Sequence, residues 1–167
     1  MKCYQCRQAE MVLERGTVSY DFSGLPYEVT LLNVSVHRCP NCGEHADAIP
    51  DPDVLHRVLG LHIIERNERL VGAEVRFLRK LLGWTGKQMA DVFGVDSKTV
   101  SRWEHDKDPM GVVSERLLRL IVRDLEPVAE GSASWVMHTF PAVSDTKDVS
   151  SRTVTLQMTN GRWRVAA

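Results

Sequence analysis

Residues 85–104, TGKQMADVFGVDSKTVSRWE, constrain the fold more than any other stretch of the chain. Apolar residues recur there at helical spacing on both sides of Gly94, a residue type that adopts at low cost the left-handed conformation ending a helix. Asp96 or Ser97 can cap the helix that follows. Ala90 lies four residues before the glycine, where a small side chain lets two helices cross closely. The pattern predicts a helix-turn-helix whose second helix is built to enter a DNA major groove.

An ordinary αα-hairpin in a helical domain is the alternative interpretation of this stretch. Such a hairpin does not demand the small residue, the turn glycine and the apolar positions together. Residues 99–104, TVSRWE, resemble the hallmark segment of the Cro/repressor-like (Xre-type) family. This resemblance implies an all-α, lambda-repressor-like domain.

The second helix of the motif is predicted to turn Val100 and Trp103 into the core. Its outer face then consists of Ser97, Lys98, Thr99, Ser101 and Arg102. Arg102 can form a bidentate pair with guanine O6 and N7, and Lys98 can make a looser contact with a base or a phosphate. We predict that this outer face reads the DNA sequence.

The start of the first helix is predicted to contact the DNA backbone. Free backbone N–H groups and the helix dipole favour a phosphate at such a position. The residues assigned to this contact are Thr85, Lys87 and Gln88.

All four cysteines lie in the first quarter of the chain, as two CxxC pairs. The pairs are Cys3 with Cys6 and Cys39 with Cys42. In a reducing compartment they favour four thiolates around one tetrahedral zinc ion, because two intervening residues let a turn present both sulfurs to one metal. The stretch between the pairs is rich in strand-forming residues. We therefore predict a β-rich zinc ribbon with four cysteine ligands over residues 1–50, in which structural zinc compensates for a small core.

Other interpretations of the cysteines are weaker. Disulfides do not suit a reducing compartment, and a CxxC oxidoreductase would need one pair opening a helix in an α/β fold. His37 and His45 flank the second pair and could replace a ligand, but four cysteines already complete a site. A four-thiolate site is closed and offers no open position for catalysis.

The rest of the chain divides into three segments. They are a connecting helix and linker over residues 51–71, a helix-turn-helix domain over residues 72–126 and a β-rich extension over residues 127–167. Asp51 or Asp53 can start the connecting helix, which runs to about residue 66. Apolar periodicity places two further helices at about residues 72–82 and 113–125. With the zinc ribbon, these segments give an α+β fold class.

The C-terminal extension has strand composition. Residues 130–134 look like a linker, and residues 135–140 and 153–158 are predicted strands. Asn160-Gly161 is a strong signal for a two-residue hairpin turn. Because a two-stranded hairpin is marginal alone, we expect it to dock on another part of the molecule.

Composition and charge narrow the class of function. No apolar run is long enough to cross a membrane and no secretory signal precedes Cys3, so we expect a cytoplasmic protein. Residues 1–50 carry four Lys/Arg against six Asp/Glu, whereas residues 72–125 carry ten against eight. A mildly basic module beside a mildly acidic one is consistent with a DNA-binding module joined to a module that does not bind DNA. No carboxylate pair, nucleophile–base arrangement or phosphate loop supports an enzyme.

The order of the modules resembles the MqsA antitoxin family, a YgiT-type zinc finger followed by a helix-turn-helix. The likeness covers about residues 1–125 and implies that the zinc module binds a cognate RNase toxin, while the helical module dimerises and represses its own operon. It also implies that Arg102 reads the operator and that Glu104 pairs with an arginine of an earlier helix, here Arg79. Lys98 stands where the family has a polar residue, which implies a different operator sequence.

The sequence therefore predicts a homodimeric, DNA-binding repressor with structural zinc, acting as the antitoxin of a type II toxin–antitoxin pair. One recognition helix covers only a half-site, so two helices are expected about 34 Å apart on a palindromic operator. The alternative is a stand-alone zinc-containing regulator that responds to metal or redox state and has no toxin partner.

Overall fold

The computed structural model describes residues 1–124 and 152–166. Its strands are β1 (Val12–Ser19), β2 (Val29–Arg38), β3 (His45–Ala48), β4 (Val154–Thr159) and β5 (Arg162–Val165). Its helices are α1 (Pro52–Glu65), α2 (Gly72–Leu81), α3 (Gly86–Phe93), α4 (Ser97–Glu104) and α5 (Val112–Asp124). The predicted α+β class is confirmed. The linker and the strand predicted at residues 130–134 and 135–140 lie outside the described residues.

The apolar pattern of β2 changes phase halfway along the strand. Two pairs of its side chains are buried, Val29 with Leu31 and Val34 with Val36. Between them, Asn33 has a left-handed backbone with φ of 60°, and the pairing with β1 shifts register between Gly16 and Val18. This bulge returns the later side chains to the face that the earlier ones occupy. Both apolar pairs therefore pack into the same core.

The C-terminal hairpin completes the sheet that the N-terminal segment begins. β4 pairs in parallel with the first half of β2, from Val29–Val154 to Leu32–Gln157, and β5 pairs antiparallel with β4. β3 pairs with the second half of β2. Asn160 and Gly161 form the hairpin turn, both with positive φ, as a type I′ turn requires. The expected docking of the hairpin is confirmed, and its site is the strand β2.

The helix α1 packs between the sheet and the remaining helices. Its buried side chains are Leu55, Leu59, Ile63 and Ile64. Trp163 of β5 is buried as well, and its indole N–H donates to the carbonyl oxygen of Pro50 at 3.0 Å. The sheet and the helices share one apolar cluster. Within the described ranges, no helix has both the length and the apolar character needed to span a bilayer.

The start of α1 lacks the side-chain capping hydrogen bond that an aspartate at this position is expected to make. Asp51 stands at the cap position but has a left-handed backbone with φ of 46°, and its side chain makes no capping hydrogen bond. Pro52 occupies the first helical position, where its fixed φ suits a helix and its missing N–H needs no partner. Proline therefore starts this helix without an aspartate cap.

A buried carboxylate, that of Glu74 on α2, joins three separate parts of the chain. Its oxygens accept hydrogen bonds from Tyr27 Oη at 2.8 Å and from Arg152 Nη1 at 3.0 and 3.1 Å. Arg66 donates to the same carboxylate, and the N–H of Val71 donates at 3.0 Å. Glu74 therefore ties the sheet, the α1–α2 connection and the segment leading into β4 to one point.

A second buried ion pair anchors α5. Arg119 is fully buried and donates to the carbonyl oxygens of Ile64 at 2.8 Å and Glu68 at 2.6 Å. Glu115, one turn earlier, accepts from Arg119 at 3.0 Å and from the N–H of Leu70 at 3.1 Å. These bonds satisfy backbone groups at and after the end of α1. They fix α5 to the connection between α1 and α2.

The first residue of α2, Gly72, packs directly against the end of α4. A Cβ there would lie 2.6 Å from the carbonyl oxygen of Trp103. We expect Gly72→Ala to lower the free energy of unfolding by about 1–3 kcal/mol, because backbone atoms cannot move aside without shifting α4. Gly86→Ala is the matched control, since nothing lies within 4 Å of a Cβ at the start of α3. Urea unfolding measures both variants, and equal stability would contradict the close approach.

Candidate metal centre and nucleic-acid interface

The four cysteines meet where β1 begins and β2 ends. Their Sγ atoms all lie within 4.8 Å of one another. The Cys3 Sγ–Cys42 Sγ distance is 3.7 Å and the Cys6 Sγ–Cys39 Sγ distance is 3.6 Å. Zn–S bonds of about 2.3 Å in a tetrahedral site separate the sulfurs by about 3.8 Å, whereas a disulfide holds them at about 2.05 Å. The spacing fits a shared metal ion and not a disulfide.

Both CxxC pairs form the same backbone turn. The carbonyl oxygen of Cys3 accepts from the N–H of Arg7 at 3.0 Å, and that of Cys39 accepts from the N–H of Gly43 at 3.0 Å. Arg7 and Gly43 have positive φ values of 56° and 76°. Glycine at position 43 suits this tight turn after the second pair, because it adopts a positive φ at little steric cost. The repeat of this turn at Arg7 presents the first two sulfurs to the same point as the second two.

The environment of the thiols suits a cation. The backbone N–H groups of Gln8 and Ala9 lower the pKa of Cys6 to about 6, against the opposing effect of desolvation. At Cys42 the N–H of Glu44 also lowers the pKa, but desolvation and the three neighbouring thiols outweigh it and raise the pKa to about 12. Several thiolates at this spacing need a positive charge to offset their repulsion. A four-sulfur donor set fits a divalent metal such as zinc.

The metal module, residues 1–50, has a cysteine-only donor set and several exposed apolar side chains. Neither His37 nor His45 belongs to the donor group found among the described residues. Four large apolar side chains of the module are each more than half exposed: Met1, Tyr4, Val12 and Leu13. Val12 and Leu13 are consecutive residues of β1 and therefore point to opposite faces of the strand, so these side chains are not all on one face of the module.

The helix-turn-helix forms at α3 and α4, as the sequence predicts. Gly94 has a left-handed backbone with φ of 64°, and the N–H of Val95 donates to the carbonyl oxygen of Ala90 at 3.0 Å. Asp96 caps α4 by accepting from the N–H of Lys98 at 2.7 Å. The turn glycine and the cap are thereby confirmed.

The capping of α3 uses two of the residues predicted to contact DNA. Thr85 Oγ1 accepts from the N–H of Gln88 at 3.2 Å, and the side-chain oxygen of Gln88 accepts from the N–H of Thr85 at 2.8 Å. This reciprocal arrangement is a capping box. It occupies the Thr85 hydroxyl and the Gln88 amide oxygen within the protein.

The inner face of α4 packs as predicted. Val100 and Trp103 are buried, and Phe93 meets Trp103 edge to face with ring centroids 6.2 Å apart. Glu104 accepts from Arg79, whose Nη2 lies 3.2 Å from Glu104 Oε2. The predicted Arg79–Glu104 pair is confirmed, and it ties α4 to α2.

The remaining residues predicted to contact DNA lie at the surface. Those of α4 that are exposed are Ser97, Lys98, Ser101 and Arg102, while Thr99 is half-buried. In the first turn of α3, Lys87 is exposed beside the capping box. The structure therefore places the predicted reading face of α4 toward solvent.

The side chain of Arg102 has a partner that the sequence analysis missed. Arg102 Nη2 donates to Asp108 Oδ1 at 2.9 Å, and Arg102 Nε donates to Asp108 Oδ2. These hydrogen bonds hold the pKa of Asp108 below its usual value and raise the pKa of Arg102. Asp108 lies beyond the end of α4, so no helical spacing indicates the contact. An acidic residue soon after α4 is the only signal of this contact in the sequence.

Comparison with known proteins adds one finding. A family model described as the antitoxin component of a bacterial toxin–antitoxin system, MqsA, matches residues 1–130. The match spans both cysteine pairs and all five helices, more than three quarters of the 167 residues. A search of curated proteins finds no match.

Proposed function

Because the chain belongs to the MqsA family of antitoxins, we propose that it is the antitoxin of a type II toxin–antitoxin pair and a sequence-specific repressor of its own operon. The observation that carries the antitoxin role is the family match over residues 1–130. The solvent-facing side of α4 supports the DNA-binding role. No catalytic step is part of this proposal.

Sequence reading is assigned to α4. Lys98 and Arg102 are four residues apart, so their side chains project from the same side of the helix. Arg102 would read guanine in the major groove, and Lys98 would contact a base or a phosphate. Ser97, Thr99 and Ser101 complete the assigned face.

Positioning on the DNA backbone is assigned to the start of α3. The capping box occupies side-chain groups of Thr85 and Gln88, so a phosphate there would be held chiefly by free backbone N–H groups of the first turn and by Lys87. This contact sets the register of α4 in the groove without reading bases.

A homodimer would supply the second half-site. On α5, Val113 is 80% exposed and Leu117, one turn later, is 39% exposed. Val112 beside them is 44% exposed. A second copy covering this apolar face would supply the second recognition helix, and the two helices must lie about 34 Å apart to read one palindrome.

The metal module would hold the toxin. Zinc bound by Cys3, Cys6, Cys39 and Cys42 would fix both CxxC turns, and its closed coordination would make it structural. The exposed apolar side chains of the module would then be covered by the toxin. A toxin bound here would use a different part of the chain from α4.

The alternative, a stand-alone regulator that responds to metal or redox state, is favoured by one observation. Cys42 is exposed, so an oxidant or a competing chelator can reach its sulfur. In that case the metal module would sense rather than bind a toxin. Loss of zinc under mild oxidation, with loss of DNA binding, would be its signature.

Both roles are tested by one affinity purification of tagged protein from its native host after DNA–protein crosslinking. We expect the wild-type protein to recover its own promoter DNA, a small toxin and zinc. Arg102→Ala should recover the promoter about tenfold less well and still recover the toxin, because the two partners use different modules.

The matched control is Arg57→Ala, which removes the same charge from an exposed position on α1. This variant should recover both partners. Promoter DNA without any protein partner would favour the stand-alone regulator. Equal promoter recovery by the Arg102 and Arg57 variants would contradict the role assigned to α4.

A further inference from the structure

We propose that Asp108 is a positioning residue that holds the guanidinium of Arg102 in the orientation that reads guanine. This inference rests on the DNA-binding role proposed above and extends it to a residue outside the recognition helix. The carboxylate of Asp108 binds one edge of the Arg102 guanidinium, and this choice of edge is the basis of the inference.

The Arg102–Asp108 pair uses only one edge of the guanidinium. Arg102 donates from Nε and from one hydrogen of Nη2 to the two carboxylate oxygens. A guanidinium carries five N–H donors in a planar fork. The second hydrogen of Nη2 and both hydrogens of Nη1 therefore remain available, as far as the described part of the chain is concerned. Two of them form the terminal edge, which matches the O6 and N7 acceptors of guanine.

Asp108 is itself held by the backbone of the loop after α4. The N–H groups of Lys107 and Asp108 donate to the carbonyl oxygen of Arg102, at 2.9 and 3.4 Å. Asp106 has a left-handed backbone with φ of 53°, and its carboxylate accepts from the first N–H of α2 at 2.9 Å. Pro109 restricts the backbone of the residue before it. The loop therefore places the carboxylate independently of the side chain of Arg102.

This support matters because the arginine is exposed. The side chain of Arg102 is 54% exposed and that of Asp108 is 46% exposed. A free arginine loses much rotamer freedom when it binds a base edge. Asp108 removes part of that freedom before DNA arrives. Its negative charge also weakens attraction to phosphates in general, so it favours the correct base over non-specific DNA.

The experiment measures equilibrium binding of the purified full-length chain to its own promoter site. Each guanine of the site is replaced in turn by 7-deazaguanine, which lacks the N7 acceptor. With the wild-type protein, we expect one replacement in each half-site to weaken binding about tenfold. Asp108→Ala should lose most of that penalty, because the arginine is no longer held against N7.

Asp108→Asn is the charge-matched control. It removes the same negative charge but keeps one amide oxygen that can accept from Arg102 Nε. We expect it to retain a larger 7-deazaguanine penalty than Asp108→Ala. Both variants should unfold at the wild-type temperature, since half-exposed ion pairs contribute little to stability.

The outcomes separate this inference from the proposed function. An undiminished 7-deazaguanine penalty in Asp108→Ala would overturn the positioning role while leaving the DNA-binding role intact. An equal gain in affinity for every DNA by both variants would also overturn it, because Asp108 would then act only as a repelling charge. Wild-type binding without any 7-deazaguanine penalty would instead overturn guanine reading by Arg102 itself.

Discussion

Replacement of Glu74 by alanine is expected to lower the free energy of unfolding by about 3–5 kcal/mol. The carboxylate is fully buried and bonded to two guanidinium groups, those of Arg66 and Arg152. Without it, the buried guanidinium of Arg152 and the partly buried guanidinium of Arg66 lose their compensating charge. Tyr27 and the N–H of Val71 lose an acceptor as well. The expected loss is therefore far larger than that of a surface ion pair.

Chemical unfolding of the Glu74→Ala and Glu14→Ala variants compares the buried carboxylate with a surface ion pair. Glu14 also pairs with an arginine, Arg38, at 2.6 Å, but both side chains are about half exposed. Its removal should change the free energy of unfolding by less than about 1 kcal/mol. Hydrogen exchange should also accelerate in β4 of the Glu74 variant, because Arg152 leads into that strand. Two variants of equal stability would contradict the central position of Glu74.

Loss of one cysteine of the proposed zinc site is expected to unfold the CxxC turns altogether. Structural zinc contributes apparent binding free energies of about 10–16 kcal/mol in zinc-finger peptides, and little else stabilises this end of the module. The apolar cluster there consists of Cys3, Met11 and Cys39, with Cys6, Ala9 and Ala46 packed against it. Three of these six residues are cysteines of the four-cysteine donor set. Cys39→Ser should therefore lose both the metal and the packing around it.

Metal content and backbone NMR signals measure this effect. We expect Cys39→Ser to bind less than one zinc per chain and to lose dispersed signals from residues 1–11 and 39–48. The helices should keep theirs, because they belong to a separate apolar cluster. His45→Ala, which removes the alternative ligand, should retain zinc. A folded Cys39→Ser module without metal would show that the cysteines are not structural ligands.

Features that depend on residues close in sequence could be predicted. The turn at Gly94 and the cap at Asp96 follow from backbone preferences within a few positions. The cysteine cluster could be predicted because each CxxC pair forms its own turn, and two such turns complete one tetrahedral site. The Arg79–Glu104 pair came from the family resemblance, and the structure contains it.

Features that depend on distant partners could not be predicted. Composition indicates that residues 153–158 form a strand, but not that β4 pairs in parallel with β2. Arg152 and Asp108 are ordinary charged residues in the sequence. Only the folded chain brings Arg152 to Glu74 and Asp108 to Arg102. Tertiary geometry determines which charged residues meet, so the local sequence pattern does not predict these contacts.

The parallel pairing of β2 with β4 can form only after most of the chain has been synthesised. Val154 lies 125 residues after its partner Val29, so at roughly 5–20 residues per second β4 is synthesised about 6–25 s after the start of β2. During this interval half of one edge of β2 has unpaired N–H and C=O groups, which attract other extended chains. The helices α1 to α5 are synthesised before the sheet is closed. The hairpin is therefore the final part of the sheet to be added, and a chain released early would carry an open edge.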